Sequence, residues 1–547
     1  MLPPGSMVYP YKTNKTHKMK TMKKKLIALS FIAAAFAGCS KDQFNASEAE
    51  LTSDNLTTGR PTFDNEFSTQ PYKLNVIYFL PQDVEPFADF KRRISTLLLQ
   101  TQDFFAENLE REGFGRTSFG LALLTENLLN IDTVRGEYGQ DYYSYSGGGS
   151  RIISEIEQYF AGNKHRKKSE HTLVIVPSRS GDPLNPGGVP FYGLGKYCFA
   201  LDYPYMDVKY LGQDDAYGNL ATKWIGGLIH ELGHGLNAPH NKERKSEQPT
   251  LGTALMGSGN HTYGKSPTFI TAASAATFAN SQTFSKVERP DWYGAVDHDL
   301  EKLDARFENG NIIIDGRFTS NYAVTDINFY HDPAPSGGNK DYDAPTWTVK
   351  PDGDTFHVES PLSDFYKSEG DYQLRIRFYH ENGSWKTYSF QYEFINGIPQ
   401  LDDIVIKELL SRDGWNIIDA DSEEDTGAAG KMLDGDQSTI WHTEWKQTLP
   451  DHPHHFVLDM GAPTTVTGFA FLNRSNLNGA IKDCEVFTSN DNVNWTSQGT
   501  YTLKKQTSWQ YIELPSTESV RYMKLVTANG YGGFRYTHLA EIGAYTD

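Results

Sequence analysis

Cysteine is nearly absent: Cys39, Cys198 and Cys484 are the only three in 547 residues. A disulfide framework is thereby excluded, and at most one bridge remains if Cys39 is otherwise engaged. Cys198 and Cys484 are expected as unpaired, buried thiols. Positive charge is also short, with 51 Lys and Arg against 69 Asp and Glu and a formal charge of −18. Residues 1–38 hold seven lysines and no acid or arginine, so their removal takes −18 to −25. A chain of that sign repels polyphosphate, and no nucleic-acid partner is expected. The apolar run between Met22 and Cys39 is too short to span a bilayer, and no other run is longer. Nor is there a repeat of fixed period, or a pair of carboxylates whose separation would argue for glycoside hydrolysis.

What is present is modular. The length is too great for one ordinary core and suggests three to four domains. The segment MKKKLIALSFIAAAFAGC has the basic start, short apolar stretch and small-residue end of a secretory signal. Its last four residues resemble a bacterial lipobox, which implies lipidation of Cys39. Export to the cell envelope follows, on the outer membrane or cell surface, with the membrane held by the lipid alone. We therefore read residues 1–39 as a lipoprotein signal and 40–71, rich in Ser, Thr, Asn and Asp, as a flexible tether. Residues 72–306 alternate strand-like runs (74–80, 118–124, 172–177) with helical periodicity (87–109, 150–160, 220–235, 269–279). Between them, residues 187–210 are dense in Gly, Tyr and Phe and suit an irregular sheet edge against which an extended substrate can pair. Residues 307–402 become short alternating runs between Gly, Asn, Asp and Pro clusters, a small β-sandwich that is immunoglobulin-like by analogy. Strand density continues through 403–547.

The chemistry lies in His230-Glu231-Leu232-Gly233-His234-Gly235-Leu236-Asn237-Ala238-Pro239-His240. Two His four apart share a helix face and can converge on one ion, with Glu231 placed to hydrogen-bond a water there. His240 can complete the set only if the helix stops and the chain reverses. Gly235 and Asn237 tolerate left-handed backbone, and Pro239 cannot continue a helix. Glu243 or Glu247 as third ligand is the weaker alternative. Three ligands leave one position open, the arrangement of a catalytic rather than a structural zinc site. This segment resembles the metzincin pattern HExxHxxGxxH, with Asn237 where the family has Gly. The resemblance implies an α/β zincin-like domain in which His230, His234 and His240 hold Zn²⁺ and Glu231 is the general base. It also implies a methionine turn beneath the metal, which Met256 in Leu255-Met256-Gly257 would form, and an oxyanion donor, which would be Tyr263.

The C-terminal run contains Leu433-Asp434-Gly435-Asp436, Ser438-Thr439-Ile440-Trp441-His442, Leu472-Asn473-Arg474, Asn478-Gly479 and the terminal Leu539-Ala540-Glu541-Ile542. In order and spacing these resemble a discoidin or coagulation-factor type C β-sandwich (jelly roll), in particular its carbohydrate-binding relatives. The resemblance implies a structural Ca²⁺ held by Asp434, Asp436, Thr439 and Glu541. It also implies a galactose-like sugar hydrogen-bonded by His442, Arg474 and Asn478 and stacked on Phe534, with Trp441 and Trp495 in the core. Taken together, the sequence reads as a zinc metalloendopeptidase for protein or mucin-type glycoprotein substrates, targeted by its last domain. A glycan-binding adhesin whose peptidase-like domain is inactive is the alternative.

Overall fold

The computed structural model describes residues 67, 70–179, 187–333 and 341–546. The expected signal, Cys39 and nearly all of the tether lie outside the described residues. Among the described residues three large hydrophobic cores follow one another along the chain, and a small cluster of Ala273, Tyr330 and Ala344 joins the first two.

The first is α/β. Strands β1 (Asn75–Leu80) and β3 (Thr172–Pro177) are buried at every position, as their unbroken apolar runs require of strands covered on both faces. With β2 (Asp132–Arg135), β4 (Gly193–Leu194) and β5 (Tyr197–Asp202) they form a sheet of order β2-β1-β3-β5-β4. All neighbours are parallel except the edge strand β4, which runs antiparallel to β5. The helices are α1 (Phe90–Arg111), α2 (Gly148–Gly162), α3 (Ala216–Gly235) and α4 (Ala272–Ala279). Among the described residues no helix is long and apolar enough to cross a membrane. The strand expected at 118–124 is mostly absent, since only Leu123–Thr125 is in a strand. Gly120 instead bonds to Leu74 and Thr283 from two directions, and a Cβ on it would sit 2.5 Å from the Tyr72 carbonyl oxygen.

The second core is a sandwich of two antiparallel sheets. Its first strand, β6 (His298–Glu308), pairs with β7 (Asn311–Ser320), so the layer begins at His298 and the sequence boundary at 306/307 falls inside a hairpin. The charges Glu301, Lys302, Asp304 and Arg306 interrupt the apolar alternation that would mark β6 as a strand of the sandwich. β8 (Val324–Pro333), β9 (Thr346–Val349), β10 (Thr355–Pro361), β11 (Gly370–His380), β12 (Trp385–Ile395), β13 (Ile398–Gln400) and β14 (Val405–Ile406) complete sheets of order β10-β7-β6-β14 and β9-β8-β11-β12-β13. Helix α4 lies on the second sheet. Thr277 bonds to the Tyr379 hydroxyl at 2.6 Å, Asn280 donates to Asp326 at 2.8 Å and Asn328 to the Ala273 carbonyl at 2.8 Å.

The third core is a six-stranded antiparallel sheet built around two long strands, β16 (His454–Leu472) and β19 (Trp509–Thr527). β15 (Asn416–Ala420) and β20 (Glu541–Tyr545) pair with β16, while β17 (Asp483–Ser489), next to β19, carries β18 (Thr496–Thr502). Trp441 is fully buried here, whereas Trp495 is only half-buried, with the Lys524 ammonium 4.7 Å from its ring. Cys198 and Cys484 are free and buried.

Candidate active site

Helix α3 starts at Asp215, whose carboxylate accepts from Gly218 N–H at 2.8 Å. It ends against β5, where Gly235 is required by proximity: a Cβ there would meet Cys198 Sγ at 2.6 Å. The reversal is made by Asn237, at φ 74°, with the Ala238 N–H reaching back to the Gly233 carbonyl at 3.0 Å. Gly235 itself keeps helical backbone. The turn returns His240 to the face that carries His230 and His234. Ring centroids are 4.9 Å apart for His230 and His234, 5.3 Å for His230 and His240, and 4.4 Å for His234 and His240. Among the described residues these three form the one group of three or more His, Cys, Asp or Glu whose ligating atoms converge, all within 4.8 Å. Glu243 is used elsewhere, accepting from the Ala254 N–H at 2.9 Å, and Glu247 pairs with Arg244 at 2.6 Å.

The rings are oriented by the backbone. His230 Nδ1 lies 2.8 Å from the Leu255 carbonyl and His234 Nδ1 2.8 Å from the Ala238 carbonyl. Donation there leaves each Nε2 as a bare lone pair, the form that binds a metal. His234 Nε2 and His240 Nε2 are 2.9 Å apart, a spacing that needs a proton or a cation between them. Burial pushes His230 down to about 4, with the neighbouring His234 adding to it, and burial lowers His234 too. Neutral imidazoles are what a cation site requires. Met256, 1% exposed, fills the notch at Gly233 between the two histidine turns, where a Cβ would fall 2.3 Å from its Sδ. Its carbonyl accepts from Asn241 N–H at 3.2 Å, so residues 255 and 256 brace both ends of the cluster.

Glu231 stands beside the cluster. Burial raises its carboxyl to about 7, against the opposing donation of the Gly193 N–H. Gly193 belongs to edge strand β4, and a Cβ on it would lie 2.6 Å from His234 Cβ, so only glycine allows strand and helix so close. Tyr263 is placed elsewhere than the sequence suggested. It is buried edge-on to Phe104 of α1, with centroids 5.2 Å apart, and not against the imidazoles. The tyrosine at the cluster is Tyr342, from the connection between β8 and β9 of the sandwich. Its ring stacks on His240 at 3.5 Å and lies 6.3 Å from His230. Burial, reinforced by the Glu231 charge, raises its phenol above the usual range. No local pattern in the sequence marks it.

In the third layer, His442, Arg474 and Asn478 line one cleft of about 330 Å³ together with Glu424, Trp445, Lys446 and Tyr536. Phe534 is not in its wall. It stacks on Tyr536 at 4.8 Å, and Tyr536 and Trp445 are the aromatic side chains that face the cleft. Glu424 and Lys446, an ion pair at 2.8 Å, and Tyr536 were missed, being polar or aromatic loop residues without a distinguishing spacing. Of the expected calcium ligands, Asp434, Thr439 and Glu541 meet, the Asp434 carboxylate lying in hydrogen-bond contact with both Thr439 and Glu541 and helping burial to raise the Glu541 carboxyl. Asp434 accepts from Thr439 Oγ1 at 2.6 Å and from Asp436 N–H at 2.8 Å. Glu541 is paired with the Arg412 guanidinium, which supplies the positive charge that an ion was expected to bring.

Residues 417–542 match the family model of the F5/8 type C domain. A sialidase of Micromonospora viridifaciens is 33% identical over 142 residues, 24% of this chain and 22% of that protein. A galactose oxidase of Gibberella zeae is 32% identical over 146 residues, 26% and 21% of the two chains. The chain spans about a fifth of the length of these curated relatives. Among solved structures, wild-type OgpA from Akkermansia muciniphila is 36% identical with a TM-score of 0.59, covering 62% of this chain and 97% of that one. A catalytically inactive OgpA in complex with an O-glycopeptide (glycodrosocin) substrate gives 36%, 0.59, 63% and 98%. With nearly all of OgpA matched at that identity, this chain belongs to the OgpA family and carries an F5/8 type C domain at its C-terminal end.

Proposed function

We propose that the chain is a zinc-dependent metalloendopeptidase of the metzincin type that cleaves O-glycosylated polypeptides and is concentrated on them by a sugar-binding C-terminal domain. The observation that carries this reading is the convergence of His230, His234 and His240 around one point with Glu231 alongside. The residues fit zinc: three converging imidazoles, two of them kept neutral by burial and held in the ligating tautomer by backbone carbonyls, and among the described residues no fourth His, Cys, Asp or Glu closing the set. Bound there, zinc supplies Lewis-acid polarisation and acidifies water. The chain's own residues do the rest. Edge strand β4 offers its open side to an extended substrate backbone, which lays the scissile bond along α3. Glu231, held by Gly193 and buried enough to exchange protons near neutrality, takes the proton of the attacking water and delivers it to the leaving nitrogen.

The choice of O-glycosylated substrate is carried over from OgpA, whose inactive form holds an O-glycopeptide. The cleft of His442, Arg474, Asn478 and Tyr536 offers a hydrogen-bonding rim and an aromatic face, the combination that suits a sugar ring. Lipidation at Cys39 would hold the enzyme at the cell envelope, and Cys39→Ser should move it from the membrane fraction to the soluble one. The central test combines elemental analysis with cleavage of an O-glycopeptide and of its deglycosylated form. About one zinc per chain is expected, with cleavage dependent on the glycan and abolished in Glu231→Ala while zinc is retained. A chain that holds no zinc, or a Glu231→Ala variant that cuts at the wild-type rate, overturns the peptidase and leaves a glycan-binding adhesin.

A further inference from the structure

We propose that Tyr342, supplied by the β-sandwich, is a catalytic residue of the cleft, its hydroxyl donating a hydrogen bond to the scissile carbonyl oxygen as that oxygen becomes an oxyanion. This deepens the peptidase reading and rests on it. Three observations lead here.

The phenol ring lies flat on His240, 3.5 Å between centroids and 27° between planes, and nearly parallel to His230 at 12°. Its hydroxyl has no hydrogen-bond partner among the described residues. A half-buried phenol beside a histidine cluster, with no protein partner for its hydroxyl, can exchange water for a ligand.

The third observation is how firmly the segment is held. Ala344 accepts from the Lys242 N–H at 2.8 Å, two residues after His240, and Lys242 and Pro345 form a parallel bridge. The Lys242 ammonium reaches Asp343 at 2.9 Å. On the other side Asp341, at φ 74°, donates its N–H to Asp332 at 3.1 Å and pairs with Arg375. The sandwich therefore fixes Tyr342 against the chain that carries the third histidine. A donor aimed in advance at developing charge is worth far more than one that must be ordered during the reaction. The phenol shares its proton with the oxyanion and does not transfer it, so no bond to Tyr342 forms or breaks. It takes the role that the sequence assigned to Tyr263.

Tyr342→Phe removes the hydroxyl and keeps the stacked ring. Zinc content, thermal midpoint and KM for an O-glycopeptide should stay at wild-type values. At the same time kcat should fall about 10²- to 10³-fold, and calorimetric affinity for a phosphinic peptide, which mimics the tetrahedral state, should fall by a similar factor. Tyr263→Phe should change neither. Rates and phosphinate affinity within about twofold of wild type overturn the role. So does a Tyr342→Phe variant that loses zinc as readily as Tyr342→Leu, since the ring would then merely prop His240. If Glu231→Ala is dead while Tyr342→Phe is fully active, only this inference fails; if Glu231→Ala is active, the peptidase reading fails with it.

Discussion

His230 and His234 in the α/β layer and His442 in the C-terminal domain each place Nδ1 against a backbone carbonyl, at 2.8, 2.8 and 2.6 Å. The difference lies in what surrounds the remaining nitrogen. In the first site a helix and a left-handed turn bring three rings together with their ligating nitrogens inward. In the second, the neighbouring imidazole, His538, is 6.1 Å away and its Nε2 is spent on the Asn478 carbonyl at 2.5 Å. Convergence of bare nitrogens makes a place for a cation, whereas one imidazole among an arginine, an asparagine and an ion pair makes a place for hydroxyls. The residue type is the same, and the backbone decides which chemistry it serves.

The largest effect expected from this contrast comes from His240→Ala. Loss of one of three ligands should strip zinc on dialysis and reduce cleavage by at least about 10³-fold, read by elemental analysis and by peptide turnover. His442→Ala should leave zinc and the turnover of a short O-glycopeptide unchanged while abolishing retention on a galactose-bearing matrix. If His442→Ala lowers short-peptide turnover as well, the two sites do not work separately and the contrast collapses.

Next in size is Gly193→Ala. The added methyl would fall 2.6 Å from His234 Cβ, so β4 or α3 must move. The carboxyl of Glu231 would move with it, because the Gly193 N–H is its hydrogen-bond donor. Misplacement of a proton-transfer group by a fraction of an ångström to an ångström lowers rates by about 10²-fold. We expect that loss in kcat/KM with zinc retained. The matching change in the distal cleft, Gly427→Ala, crowds His442 Cβ at 2.8 Å and should weaken glycan retention only.

Much of the first site was legible because its signal is local. Spacing by four places His230 and His234 on one helix face, and Asn237 is one of the few residues other than Gly able to take the φ that turns His240 back. Strands β1 and β3 announced themselves by unbroken apolar runs. Tyr342 was not legible, because its contact with His240 is made by packing between layers that the sequence reads as separate domains. Arg412 was hidden for the same reason: nothing near Glu541 in the chain shows that a guanidinium from residue 412 meets it. Position 120 shows the opposite failure. The run 118–124 has the composition of a strand, but close approach to the Tyr72 carbonyl uses Gly120 for a backbone crossing instead.

The smallest effect concerns acid stability and again sets one layer against another. His331 in the sandwich is fully buried among Trp347, Phe365 and Tyr392, its Nδ1 2.8 Å from the Tyr392 hydroxyl, and burial pushes it down to about 3. Unfolded, it titrates near 6.5, so between about 6.5 and 3 the unfolded chain binds a proton that the folded one refuses. Stability is therefore full above 6.5 and falls on acidification, by up to about 1.4 kcal/mol per pH unit for this one group. His454 in the C-terminal domain runs the other way. Burial lowers it, but the Asp421 carboxylate at 2.8 Å outweighs that and leaves it raised, so its contribution is present below 6.5 and is lost as pH climbs through the raised value. Native-state hydrogen exchange separates the two without requiring the chain to unfold as a unit. On moving from pH 7 to pH 5, amides of β8 should lose protection beyond the intrinsic change in exchange rate, and His331→Phe should flatten that loss. His454→Gln should leave β8 unchanged and remove the opposing trend from β16. If β8 keeps its protection at pH 5 in the wild type, the buried ring of His331 is accepting its proton in the folded state, and its burial does not hold it neutral.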